Sequence, residues 1–176
     1  MMLYAITGGP CTGKTTTIDT LAQRGHIIVP EAARQIIQEE QQKPNGILPW
    51  KNSENFSTFQ QMVIQRQYDL EQSIKGTLRF CDRSGLDGLA YCNIYHIIPP
   101  HELLLFARNH RYTNVFLLDQ LPYVKDAQRT EEPILAKKIH EEIEKAYLEH
   151  GYNLIRVPVL PPKERADYIE QKINLS

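Results

Sequence analysis

Eight consecutive residues near the start of the chain have the types and spacing that suit phosphate binding. The run Gly8-Gly9-Pro10-Cys11-Thr12-Gly13-Lys14-Thr15 matches G-x-x-x-x-G-K-[ST] at every defined position. Glycines let the backbone turn so that successive N–H groups face one anion, and the N-terminus of a following helix adds its positive end. In this pattern Lys14 reaches the β- and γ-phosphates, and the Thr15 hydroxyl contacts Mg²⁺. The sequence predicts a nucleoside-triphosphate site from Gly8 through Thr16.

Two charged residues, Asp82 and Arg83, come directly after an apolar run. Ligands of open α/β sheets gather at the carboxyl ends of strands, so we predict that Asp82 joins Thr15 in binding Mg²⁺. The alternative for Asp82 is a helix N-cap. Arg83 would clamp a substrate phosphate or sugar hydroxyl, or else form a surface salt bridge. Asp87 would hold Arg83 in a substrate site, or it is a solvated helix residue.

Glu31 and Arg34 form a second candidate pair, after the apolar run that Pro30 ends. A carboxylate at that place faces the acceptor side of a nucleotide site and could orient or deprotonate a hydroxyl. Stabilisation of its own helix N-terminus is the equally weighted alternative for Glu31.

The segment from Asp119 to Pro133 is rich in charged residues and includes Asp126 and Arg129. A charged connection between a strand and a helix could be a lid whose Arg129 reaches the transferring phosphoryl group. The alternative is a solvated loop.

Short apolar runs alternate with longer amphipathic ones along the chain, which is typical of a parallel sheet covered by helices. The predicted strands cover residues 3–7, 26–29, 77–81, 115–118 and 153–157. The predicted helices cover residues 14–23, 31–42, 133–149 and 162–173, with a further long helix through Phe56 and Leu70. A loop spans residues 43–52 and contains Trp50. Aromatic residues that could line a nucleobase slot are Trp50, Phe56, Phe59, Tyr91 and Tyr95. At helical spacing such residues more often build core, and only Trp50, which lies in a loop, is a candidate lid or acceptor contact.

Length and composition restrict the class of protein. The chain has 176 residues, of which 41% are hydrophobic and 23% charged, values typical of one globular domain. Twenty basic residues balance 21 acidic ones, so charge does not favour nucleic acid as a partner. Three cysteines indicate free thiols in a reducing compartment. The apolar start lacks the features of a secretory signal and no run is long enough for a membrane span, so we expect a cytoplasmic protein.

Five segments together resemble one family across nearly the whole chain. They are ITGGPCTGKTT, VPEAAR, CDRSGLDGLAY, KDAQRTE and RVPVLPPKER. Their order is similar to that of the NadR/TTD-type AAA-like P-loop ATPase domain family, which is related to nucleoside and nucleotide kinases. The resemblance implies a kinase-type fold, with the third strand beside the P-loop strand and a lid before the penultimate helix. It also implies site roles for Glu31, Arg34, Asp82, Arg83, Asp87, Asp126 and Arg129.

Two functions follow as expectations. The first is an ATP-dependent small-molecule kinase that transfers the γ-phosphoryl group to a nucleoside, nucleotide or related metabolite. Lys14, Glu31, Asp82, Arg83 and Arg129 would then be its catalytic residues. The second is a nucleotide-dependent switch or NTP hydrolase that regulates a protein partner. An Asn-Lys-x-Asp guanine signature is absent from the sequence, which favours ATP and leaves GTP as the alternative.

Overall fold

The computed structural model describes residues 2–122 and 133–174 of the chain. Five strands lie within these ranges: β1 (Met2–Thr7), β2 (Ile27–Val29), β3 (Leu78–Asp82), β4 (Asn114–Leu118) and β5 (Leu154–Val157). They form one sheet in the order β2-β3-β1-β4-β5, and every neighbouring pair is parallel. The P-loop strand β1 is therefore central and has β3 beside it, as the resemblance implied.

Seven helices connect or follow the strands in the described part of the chain. They are α1 (Lys14–Gln23), α2 (Ala32–Gln41), α3 (Ser53–Ser73), α4 (Asp87–Ile94), α5 (His101–Asn109), α6 (Pro133–Glu149) and α7 (Pro162–Asn174). The predicted strands and helices are all present. Except for α3, for which no limits were predicted, their ends lie within one residue of the predicted limits. Helices α4 and α5 have no counterpart among the predicted elements. No helix within the described ranges has the length and apolar character needed to cross a membrane.

Alternate side chains of β1 pack into two different apolar layers. Leu3 and Ala5 join the cluster that contains residues of α4, α5 and α6. Tyr4 and Ile6 join the cluster that contains residues of α1 and α7. Because successive strand side chains point to opposite faces, helices cover both faces of the sheet. The predicted α/β fold class, a P-loop, kinase-like five-stranded parallel sheet with helices on both faces, is confirmed.

The parallel strands bring their carboxyl ends to one edge of the sheet. Ile6 of β1 is in register with Asp82 of β3, and Val29 of β2 is in register with Cys81. The residues that end or follow these strands therefore lie at a common edge, and they include the glycine-rich loop, Glu31 and Asp82. This edge is where open α/β sheets hold their ligands.

Candidate functional site

The loop after β1 has a backbone conformation that presents amides to one region. Gly13 has φ +72° and serves as the N-cap of α1, and Cys11 also lies in the left-handed region with φ +61°. The left-handed region favours glycine, which explains the residue type at position 13. No hydrogen bond between described residues uses the backbone amides of residues 11–16. Six consecutive amides at a helix N-terminus are thus available to an anion, as the motif predicts.

The Lys14 side chain folds back over this loop. Its ammonium donates to the carbonyl oxygens of Gly8 at 2.7 Å and Gly9 at 2.9 Å, and to Thr12 Oγ1 at 3.1 Å. Burial, and then the positive charge of Arg83, lowers the pKa of Lys14 to about 7. The Lys14 side chain is half-buried in its own loop.

Asp82 and Thr15 line a small hollow of about 250 Å³ beside the loop, together with Glu31 and Arg34. The Asp82 carboxylate and the Thr15 hydroxyl make no hydrogen bond or ion pair with a described residue. Burial, and then the charge of Glu31, raises the pKa of Asp82 to about 6. A cation beside Asp82 would relieve the free-energy cost of holding its charged carboxylate buried and close to Glu31. One carboxylate and one hydroxyl beside a phosphate site also fit Mg²⁺, which is bound by few protein ligands and by substrate phosphates.

Arg83 links the ends of β2 and β3. Its Nε lies 3.2 Å from Glu31 Oε1, and its Nη1 lies 2.7 Å from Asp87 Oδ2. The same Nη1 donates to the Gly8 carbonyl at 3.2 Å, so the guanidinium also touches the glycine-rich loop. Arg34 Nε lies 3.4 Å from Glu31 Oε2 on the other side of that carboxylate. The structure therefore brings together Glu31, Arg34, Arg83 and Asp87, the four predicted substrate residues.

Asp87 is buried, which contradicts the alternative of a solvated helix residue. Its carboxylate accepts hydrogen bonds from Thr7 Oγ1 at 2.8–2.9 Å and from the Tyr147 hydroxyl at 2.7 Å, in addition to the Arg83 contact. Tyr147 in turn shares a 2.6 Å hydrogen bond with Ser84 Oγ. Asp87 thus ties Arg83 to β1 and α6.

A cavity of about 700 Å³ opens beside this cluster. Its lining includes Glu31, Asp82, Arg83 and Asp87, so the charged cluster forms part of its wall. Five aromatic residues also line it: Trp50, Phe56, Phe59, Tyr91 and Tyr95. Phe56 and Phe59 are buried, whereas Trp50 is 61% exposed at the rim.

The sequence predicted no site role for three further residues, of which Arg165 ends the segment RVPVLPPKER. Gln60 of α3 lines the cavity. His140 of α6 is buried against the glycine-rich loop, and its Nδ1 accepts the Gly9 amide at 3.2 Å. A side-chain Cβ on Gly9 would lie 2.8 Å from His140 Cβ, so only glycine allows this close packing. Arg165 of α7 donates to the Thr12 carbonyl.

Arg129 and Asp126 lie outside the described residues, as does most of the predicted lid. Their roles remain predictions from the sequence. Within the described ranges no group of three or more His, Cys, Asp or Glu side chains could hold a metal ion by itself. A Mg²⁺ ion at Asp82 would therefore depend on phosphate oxygens for much of its coordination.

Comparison with curated protein sequences gave no match. Solved structures of similar fold include deoxyadenosine kinase from M. mycoides with dCMP and dCDP bound, at TM-score 0.68 and 16% identity over 99% of this chain and 100% of that one. NadR protein in complex with NR matches at TM-score 0.69 and 16% identity over 99% of this chain, which spans 52% of the NadR chain. Shikimate kinase from Aquifex aeolicus matches at TM-score 0.59 and 18% identity over 98% of this chain and 96% of that one.

These similarities show a kinase-like P-loop fold, and the nucleotide-binding character of that fold agrees with the loop geometry described above. A family model described as an AAA domain matches residues 3–165, which is most of the chain. The chain therefore belongs to the AAA domain family, as a P-loop domain of the kinase-like kind.

Proposed function

We propose that this chain is an ATP-dependent kinase that transfers the γ-phosphoryl group to a hydroxyl of a neutral small molecule. The observation that carries the proposal is the cavity of about 700 Å³ whose wall includes Glu31, Asp82 and Arg83. A kinase needs room for a second substrate beside the phosphates, and this volume suits a small organic molecule.

The free amides of residues 11–16 and the Lys14 ammonium would hold the triphosphate. Thr15 and Asp82 would hold Mg²⁺, which neutralises charge on the phosphate oxygens when it is bound. Phosphoryl transfer depends mainly on positioning and electrostatic stabilisation, so this set is sufficient for the donor side.

Glu31 would orient the acceptor hydroxyl and take its proton. The acceptor oxygen then bonds to the γ-phosphorus while the bond from that phosphorus to the β–γ bridging oxygen breaks, which leaves ADP. Contacts at 3.2 Å and 3.4 Å with Arg83 and Arg34 fix the Glu31 carboxylate at the cavity wall. A carboxylate has about four acceptor sites, so these contacts leave capacity for a hydroxyl. Arg83 would contact the transferring group from the same wall.

The charges of the cavity favour an acceptor without a phosphate of its own. Its described lining carries three carboxylates, of Glu31, Asp82 and Asp87, and one guanidinium, of Arg83. Glu31 and Asp87 already pair with that guanidinium. Asp82 would hold Mg²⁺, so the remaining charges are two carboxylates and the guanidinium that they pair with. An anionic acceptor finds no unpaired guanidinium or ammonium group in the described lining.

The remaining lining favours a flat ring with a polar edge. Gln60 is 4% exposed and lines the cavity, yet its side chain makes no hydrogen bond with a described residue. Its amide atoms are accessible from the cavity, so a bound molecule with donor and acceptor groups would pair with them. Aromatic side chains around Gln60 suit the faces of a ring. A nucleoside combines this ring, this edge and free hydroxyls.

The alternative function, a nucleotide-dependent switch or hydrolase, predicts that the region between Asp82-Arg83-Ser84 and α2 is packed solid. The cavity in that region supports the kinase instead.

The test uses ATP labelled at the γ-phosphate and matched acceptors, each nucleoside beside its own 5′-monophosphate. We expect label on nucleosides and little on the monophosphates. Glu31→Gln should lower kcat by about 100-fold or more while ATP affinity stays unchanged, since general-base catalysis is lost and the phosphate site remains. The matched control is Glu39→Gln, at an exposed position of α2, the helix that follows Glu31. Preferred labelling of monophosphates, or parent turnover by Glu31→Gln, would contradict the proposal.

A further inference from the structure

Arg165 is a buried guanidinium without a carboxylate partner among the described residues. It lies in the first turns of α7 and is 1% exposed. Its donors reach three backbone carbonyls: Nε donates to Pro158 at 3.0 Å, Nη2 to Asp119 at 3.2 Å, and Nη1 to Thr12. Carbonyl oxygens satisfy its N–H groups but do not balance its charge.

Burying a cation without a counter-charge is costly, so an anion near Arg165 is expected. The Asp119 carboxylate is close enough to oppose the effect of burial, which lowers the pKa of Arg165. That carboxylate is already paired with Arg156, whose Nη1 lies 3.1 Å from Asp119 Oδ1. The glycine-rich loop, where a phosphate chain would bind, is the other place for negative charge beside Arg165.

The contact with Thr12 also fixes a peptide of that loop. The C=O and N–H of a trans peptide point in opposite directions, and the described chain has no cis peptide. When Arg165 holds the Thr12 carbonyl from behind, the Gly13 amide is directed to the other side. That amide has no acceptor among the described residues. Arg165 Nη1 would lie 3.3 Å from a Cβ on Gly13, so the guanidinium is in contact with this peptide.

We propose that Arg165 is a positioning residue of the phosphate site. It holds the Thr12–Gly13 peptide with its N–H toward the bound phosphates, and it adds a buried positive charge behind them. The inference rests on the proposed nucleotide site and extends it to a residue from the far end of the chain. Arg165 acts through the loop and does not touch the nucleotide.

The experiment measures the affinities of ATP, ADP and AMP by titration calorimetry for the whole chain and its variants. Arg165→Met should weaken ATP binding by about tenfold or more, ADP binding less, and AMP binding by no more than about twofold. The loss of affinity should increase with the number of phosphates because a positive charge is lost. A simple loss of folding would weaken the binding of all three nucleotides equally. Arg165→Gln keeps a donor for Thr12 without the charge and should lie between Arg165→Met and the parent.

Arg24→Met is the matched control. Arg24 is also an arginine that holds α7, through Asp167 at 2.7 Å and Glu170 at 2.6 Å, but it makes no contact with the glycine-rich loop. Its loss should leave all three affinities unchanged. If Arg165→Met does not fold, Arg165→Lys and Arg165→Gln decide the matter: the lysine variant should bind ATP more tightly because it keeps the charge.

Parent-like ATP affinity in folded Arg165→Met would overturn the inference, and so would equal losses for ATP and AMP. An Arg165→Lys variant that binds ATP no better than Arg165→Gln would also overturn it. Absence of ATP binding by the parent would overturn the nucleotide site itself together with this inference. A parent that binds ATP with this grading but phosphorylates no acceptor would support the role of Arg165 and contradict only the kinase.

Discussion

The Lys14 ammonium donates to three oxygens of its own loop, and burial together with Arg83 lowers its pKa to about 7. A triphosphate on the loop would place several negative charges beside it and raise that pKa again. At pH 8 we therefore expect ATP binding without Mg²⁺ to take up a proton, approaching about one per nucleotide. Calorimetry in two buffers with different ionisation enthalpies measures the number of protons taken up per nucleotide bound.

Lys14→Met provides the control for this prediction, because it removes the titrating group and should bind ATP without proton uptake. If the parent takes up no proton at pH 8, the Lys14 ammonium is not the group that the phosphates recharge.

Gln60 is the residue for which we predict an effect on the acceptor alone. Gln60→Leu keeps the volume of the side chain but removes its amide from the cavity wall. We expect acceptor kcat/KM to fall by about tenfold or more while the KM for ATP is unchanged, since a polar edge of the acceptor loses its partner. The exposed neighbour Gln61→Leu is the control. Steady-state kinetics with varied acceptor concentration measures this effect. If the acceptor kcat/KM of both variants equals that of the parent, Gln60 has no role in acceptor binding.

Residues next to a strand end could be predicted from the sequence. Lys14, Glu31, Asp82 and Arg83 each follow an apolar run closely, and parallel strands align their carboxyl ends. The supporting contacts could not be predicted, because they join parts of the chain that are far apart. His140 contacts Gly9 across 131 positions, and Arg165 contacts Thr12 across 153. Periodicity indicates that a helix has a buried face but not which loop that face meets.

At the scale of elements, a buried polar network joins α3, β3 and the end of α5. The Glu71 carboxylate is 3% exposed and accepts hydrogen bonds from Tyr112 at 2.8 Å and Gln67 at 2.6 Å. His110 Nε2 lies 2.8 Å from Glu71 Oε2, and the Cys81 thiol lies 3.7 Å from Oε1. This network lies within the apolar layer and takes no part in the proposed chemistry.

We predict that Glu71→Gln lowers the free energy of unfolding by about 1–3 kcal/mol at neutral pH, because a buried network loses its charged acceptor. Burial favours a higher pKa for Glu71, but contacts with His110, Gln67 and Tyr112 outweigh it and lower that pKa below 4.5. The stabilisation is therefore present above pH 4.5 and is lost as pH falls through the lower folded pKa. Urea unfolding at a series of pH values from neutral to acid measures this change in the free energy of unfolding.

Glu71→Gln should show a weaker dependence of stability on acid than the parent, and the exposed Asp69→Asn should behave as the parent does. Equal acid dependence in the parent and Glu71→Gln would mean that other groups control acid unfolding.

The elements that the sequence did not reveal are α4 and α5, and α4 shows why. Six of its eight residues are buried, so it has no polar face to produce a helical pattern. It is enclosed on several sides: α6 packs on it, and a Cβ on Gly88 would lie 2.5 Å from Gln60 Oε1 of α3. By contrast, α6 alternates buried and exposed positions over 17 residues, and its limits could be predicted.

At the scale of the whole molecule, the fold follows from alternating patterns and the glycine-rich loop, whereas the cavity of about 700 Å³ arises only when the helices assemble. Its walls come from α2, α3, α4 and the loop that contains Trp50. These segments are separate in sequence, so no local motif marks the cavity. Neighbours with this fold at 15–18% identity include proteins named as deoxyadenosine kinase and shikimate kinase, so fold alone leaves the acceptor open.

The most direct test of the kinase proposal compares ADP formation with acceptor phosphorylation in one reaction. With labelled ATP, Mg²⁺ and a nucleoside, we predict one phosphorylated nucleoside for each ADP, and little ADP when the acceptor is omitted. Lys14→Ala should form neither product while keeping its fold, because the Lys14 ammonium lies against the glycine-rich loop, where the proposal places the phosphates, and its side chain is only half-buried. If ADP and free phosphate instead appear at the same rate with and without every acceptor, the protein is a hydrolase and the cavity does not hold a phosphoryl acceptor.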